Sequence, residues 1–143
     1  MAQRDYILRM IEQLGALLAG IRKRILGGEI EEAAARGELR DAARMGGLDY
    51  DLARAMTSQS LLLMVAPDGE VDPGRCWLLA ELSYLDGLEA DLAGRSEEAV
   101  RSLERAALLF GLLQPVAGNV VGLREALGRV EEVERLLAQI SRD

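Results

Sequence analysis

A chain of 143 residues, half of them hydrophobic, is long enough for one domain with its own core and too apolar for a disordered tail. Its net charge of −7 disfavours phosphate backbones, so no nucleic-acid partner is expected. It has no histidine, which removes the commonest general base and a major metal ligand.

Leu, Ala, Glu and Arg dominate, and the β-branched and aromatic runs that strands need are missing, so the fold class is all-α. The first helix is predicted from Asp5, as N-cap, to Leu26, with Gly27-Gly28 as the stop. Ile7, Ile11, Leu14, Leu18, Ile21 and Ile25 recur along it at alternating spacings of four and three. That seam suits either an internal core or a helix–helix dimer. Arg22-Lys23-Arg24 is the one basic run, and consecutive helical positions diverge too far for it to form a single patch.

A second helix is expected over Glu29–Met45 with a thin face of Ile30, Ala33, Ala34 and Leu39. Gly37 costs it about 1 kcal/mol relative to alanine. Short helices follow at Asp49–Met56 and Ser58–Val65, the latter carrying Leu61 to Val65 as a buried plug. Pro67-Asp68-Gly69 marks a turn. Asp72 and Pro73 then supply an N-cap and a first-turn proline. The helix they open runs to about Ala93 with Trp77, Leu78, Leu82, Leu85, Leu88 and Leu92 on it, and Gly94 closes it. Ser96 is expected to cap the next helix, with Glu97 and Glu98 in its first turn and a stripe of Ala99, Leu103, Ala106, Phe110 and Leu113. A loop is expected from Pro115 to Gly122. A last helix over Leu123–Ser141 repeats a seam of Ala126, Val130, Val133, Leu137 and Ile140. No linker divides the chain, so residues 1–143 read as one α-helical domain.

The pattern G-x-x-E-E-A occurs at Gly28–Ala33 and again at Gly94–Ala99, 66 positions apart. Around the second copy, Gly87, Gly94, Ala99, Leu103 and Ala106 stand at the intervals of one helical hairpin and resemble a tetratricopeptide repeat. Asp86, Ala90 and Gly111 replace that family's usual Leu, Tyr and closing Pro. The first copy is more degenerate, with Ile21 where a small Gly is usual. The opening Asp5–Leu14 also resembles the start of an uncharacterised bacterial all-helical family with tetratricopeptide-like hairpins. That resemblance implies an all-helical cytoplasmic protein and no particular activity.

If the hairpin is of the tetratricopeptide kind, its first helix lines a concave face through Glu81, Tyr84, Leu88 and Asp91. One branch of that family grips a peptide carboxylate with Lys and Asn. Tyr84 and Leu88 occupy those places here and argue against that use. An acidic and apolar face suits a basic amphipathic protein partner instead.

Chemistry is harder to find. Cys76 is the one cysteine, without a histidine to activate it, and reads as a structural thiol in a reducing compartment. Glu31/Glu32, Glu97/Glu98 and Glu131/Glu132 are adjacent pairs whose members diverge on a helix. Asp68 to Asp72 lacks the ligand ladder of a calcium loop, and Gly118 to Gly122 lacks the residues of a phosphate loop. The opening residues lack the apolar stretch of a signal peptide, and no run approaches a membrane span. The expectation is therefore a cytoplasmic protein-interaction or scaffolding module. It is no enzyme, has no metal or cofactor, and self-associates as a homodimer through Ile7, Ile11, Leu14 and Leu18. The alternative is a small-molecule-binding domain with an aromatic-lined pocket at Trp77, Tyr84 and Phe110.

Overall fold

The computed structural model describes the backbone of residues 2–117 and 123–142 and the side chains of 8–114 and 128–141. Among them are seven helices and no strand: α1 (Ala2–Leu26), α2 (Glu32–Met45), α3 (Tyr50–Ala55), α4 (Ser58–Val65), α5 (Pro73–Leu92), α6 (Ser96–Ala117) and α7 (Leu123–Arg142). None is long and apolar enough to cross a membrane, among the described residues.

The helix boundaries follow from local chemistry. Asp49, Thr57 and Asp72 each accept the backbone N–H three residues on, opening α3, α4 and α5. Gly28 and Gly94 have φ of +67° and +83°. That left-handed turn lets the next N–H reach back five residues, from Glu29 to the Arg24 carbonyl and from Arg95 to the Ala90 carbonyl. Both copies of the G-x-x-E-E-A pattern thus begin on the same helix-ending motif.

Four boundaries differ from expectation. Helix α1 starts before Asp5, which lies inside it. Helix α2 begins at Glu32, three residues late, because the turn at Gly28 must close first. Its buried face is Ala35, Leu39, Ala42 and Ala43, which leaves Ala33 and Ala34 exposed and Ile30 ahead of the helix. Ser96 is the first residue of α6, not its cap, and that helix passes Pro115 to end at Ala117. The rest of the expected Pro115–Gly122 loop lies outside the described residues.

Helix α5 is the centre of the molecule and packs against α1, α2, α4, α6 and α7. It is covered on nearly every side by other helices, and almost every residue from Pro73 to Ala90 is buried, the polar Glu81 and Ser83 included. Its most extensive partner is α6, whose Ala99, Leu103, Ala106, Phe110 and Leu113 are fully buried. Gly87 makes the close approach possible. A Cβ there would stand 2.6 Å from Leu103 Cγ and 3.2 Å from Leu103 N. Helix α7 packs mainly on α6 and presents Val133 to the core.

Candidate functional site

The expected partner face is covered within the chain. Glu81, Tyr84 and Leu88 are buried, and Asp91 is half-buried. Helices α1 and α7 lie over Glu81 and Tyr84. The Tyr84 hydroxyl accepts from Arg22 Nε at 2.8 Å and donates to Glu132 Oε1 at 2.7 Å. Arg22 also binds Glu132 directly at 2.9 Å, and Arg129 reaches Glu132 at 3.1 Å and Glu81 at 3.7 Å. Its guanidinium lies over the Tyr84 ring, 5.1 Å from the centroid. Burial works against the Glu132 charge, yet hydrogen bonds from Tyr84 and Arg22 outweigh it and hold the carboxyl below its ordinary range. Burial lifts Glu81 and takes the Tyr84 phenol up to about 12. These polar groups serve as internal cross-links, so Glu81, Tyr84 and Leu88 do not form an open surface.

The first-helix seam is likewise internal. Leu14 and Leu18 are each 3% exposed in the core shared with α5, and Ile11 packs partly against it. Burial inside one chain, the first of the two uses open to that seam, correctly describes these residues. Leu14 and Leu18 are therefore unavailable for the expected self-contact. The Ile7 side chain lies outside the described residues. Trp77, Tyr84 and Phe110, the wall of the alternative aromatic-lined pocket, are also core residues, 4%, 0% and 0% exposed.

A second polar cluster joins α2, α3, α5 and α6. The second glutamate of each copy of the repeated pattern, Glu32 and Glu98, meets the same pair of arginines. Arg36 reaches them at 2.8 and 2.5 Å, and Arg95 at 3.3 and 2.9 Å. Arg54 adds a bond to Glu98 at 2.8 Å and approaches Asp86 at 3.3 Å, while the Tyr50 hydroxyl donates to Asp86. Hydrogen bonds from Arg95 and Arg36 overcome the burial of Glu98 and lower its proton affinity. Asp86 goes the other way. Burial raises it to about 6 in spite of Tyr50 and Arg54. In each acidic pair the second member (Glu32, Glu98, Glu132) is ion-paired while Glu31, Glu97 and Glu131 are exposed.

Cys76 is buried with its thiol against the Leu109 carbonyl at 3.1 Å. Burial, with a smaller push from Asp72, raises it to about 12 and overrides any help from the helix N-terminus. No group of three or more Cys, Asp or Glu side chains is placed to hold a metal, among the described residues.

The surface feature that the sequence reading missed is α4. Its run Leu61 to Val65 buries only Leu61 and Val65. Leu62 and Met64 are half-buried and Leu63 is 70% exposed. The run does not form the expected plug. Eight residues at helical spacing can turn only one narrow stripe inward, so five consecutive apolar side chains must leave some facing water. On neighbouring α3, Leu52 is half exposed. Comparison with family models, with curated proteins and with solved structures finds no match for this chain.

Proposed function

We propose that the chain is a non-catalytic protein-interaction or scaffolding module that associates with itself through α4. The observation that carries this reading is the exposed centre of an apolar five-residue run, Leu63, flanked by half-buried Leu62 and Met64 on a short helix that only Leu61 and Val65 anchor in the core. Exposed leucines occur singly on most proteins, but consecutive apolar residues at a thinly packed helix suit a contact that removes them from water. The tetratricopeptide-like character of the α5–α6 hairpin belongs to the same proposal. The close seat of Gly87 on Leu103 supports it, and such hairpins serve as rigid supports for interaction surfaces.

Light scattering coupled to size-exclusion chromatography over a range of concentrations tests the reading. The wild type is expected above its 15.6 kDa chain mass, rising with concentration. Leu63→Asp is expected at the chain mass with an unchanged helical circular-dichroism signal, because the side chain it replaces is exposed. A wild type that stays at the chain mass throughout would remove self-association from the proposal.

A further inference from the structure

At the junction of α3 and α6 lies a recess of about 250 Å³ lined by Asp51, Arg54, Ala55, Glu98, Arg101, Ser102 and Arg105. Its two carboxylates are already engaged. Arg40 grips Asp51 with two bonds of 2.8 and 3.0 Å. Glu98 is shared by Arg36, Arg54 and Arg95. The cations opposite them are less committed. Arg101 and Arg105 lie one turn apart on α6, and neither has a carboxylate within ion-pair distance among the described residues. Arg105 spends one N–H of each terminal nitrogen on the carbonyls of Arg54 and Met56, at 2.7 and 3.0 Å, which closes the end of α3 and fixes the plane of its guanidinium. Among the described residues, the remaining N–H groups of the fork have no protein acceptor. A smaller void of about 10 Å³, roughly the room one water needs, shares Arg54, Ser102 and Arg105 with the larger recess.

We propose that this recess is a binding site for a phosphate group, held between the Arg101 and Arg105 guanidiniums with Arg54 and the Ser102 hydroxyl beside it. Guanidinium forks match tetrahedral oxyanions, whose several acceptor oxygens can serve more than one arginine at once. Burial, then the like charges of Arg54 and Arg101, works against the charge on Arg105. An anion seated between them relieves that repulsion. The site draws on both α3 and α6, so the bound group also ties the short helix to the core. It is independent of the α4 contact.

The test uses the full chain, with backbone amide NMR spectra recorded during titration at constant ionic strength. Three titrants are compared: inorganic phosphate, glycerol phosphate as a small phosphomonoester, and chloride. Phosphate is expected to give saturable shifts at residues 101–105 and 54–56 that chloride does not give. Saturation by both phosphates, or by the monoester alone, assigns an esterified ligand; saturation by inorganic phosphate alone assigns the free ion. Arg105 also holds the end of α3, so the diagnostic variant is Arg101→Ala, whose side chain is exposed. It is expected to weaken binding about tenfold, the effect of losing one charge-assisted hydrogen bond. Asp51→Asn, which removes a negative charge from the rim, is expected to tighten it. Shifts that follow ionic strength alike for chloride and phosphate would overturn the proposal. So would saturable binding that Arg101→Ala leaves unchanged in a folded protein.

Discussion

The two sides of α5 treat a buried carboxyl in opposite ways. On one side Glu132 reaches in from α7 to Tyr84 and two arginines, and it keeps its charge easily. On the other side Asp86 also has a tyrosine and an arginine, yet it holds its proton up to about pH 6. Glu132 has one arginine more and Asp86 also feels the like charge of Glu98, but the largest push on Asp86 is burial, and that follows from where the carboxyl is rooted. Glu132 grows from a peripheral helix, and its side chain is 18% exposed. Asp86 grows from the most buried helix of the molecule, and its side chain is 10% exposed and must meet its partners there. An ion pair assembled from the rim inward keeps some hydration. One assembled from the core outward has less water to lean on, and desolvation prevails.

The largest expected effect probes the Asp86 side. Its folded value of about 6 exceeds the ordinary 3.8. Its contribution to stability is therefore full below the ordinary value and is lost as pH rises through about 6. Asp86→Asn keeps an acceptor for Tyr50 and removes the titration. Urea unfolding should find the stability of Asp86→Asn relative to wild type growing by about 2 kcal/mol from pH 4 to pH 7. A difference that does not vary with pH would break the contrast between the two sides.

Glu132→Gln is expected to act with the opposite slope. A carboxyl held below its ordinary 4.5 stabilises the fold above that value and loses its contribution as pH falls through the folded value. The variant should cost about 1–2 kcal/mol at pH 7, a figure reduced for partial solvent screening, and the loss should shrink in acid. The same unfolding experiment over the same pH range reads it. Amide exchange should rise first in α7, which Glu132 ties to α1 and α5. The smallest effect is expected for Arg24→Ala, which removes a pair with Glu38 that is more exposed than the Arg22–Glu132 pair. Its melting temperature should match wild type, as exposed pairs contribute little. A loss as large as that of Glu132→Gln would show that burial does not rank these pairs.

Much of the fold was legible because it is written in local signals. Asp72-Pro73, Gly28 and Gly94 act within a few residues of themselves, and the structure places helix ends where they stand. The α6 stripe was legible for the same reason, since one period of 3.6 residues decides which side chains meet α5. Long-range choices were not legible. The chain between Gly28 and Met45 offers several alanines, and only docking on α1 and α5 selects Ala35, Ala42 and Ala43 over Ala33 and Ala34. Glu81 and Tyr84 look like surface residues on a tetratricopeptide-like helix. Their burial depends on Arg22 and Glu132, which lie 62 and 48 positions from Tyr84 in the chain. The exposed α4 run escaped because a short apolar stretch reads alike whether it is covered or bare. Asp86 carried the best unread signal, as an acidic residue in the place of an apolar one at a close helix crossing.

The turn at Gly94 also bears on how quickly the chain finds its structure. It joins the two helices that pair most extensively, so the largest interface in the molecule closes across a connection of three residues between Leu92 and Ser96. Closing so short a loop sacrifices little chain entropy, and contacts between sequence neighbours form ahead of distant ones. Helices α5 and α6 are thus the natural nucleus on which the remaining helices condense. The contacts between α1 and α5, which depend on residues far apart in the chain, are left to the later stages of folding.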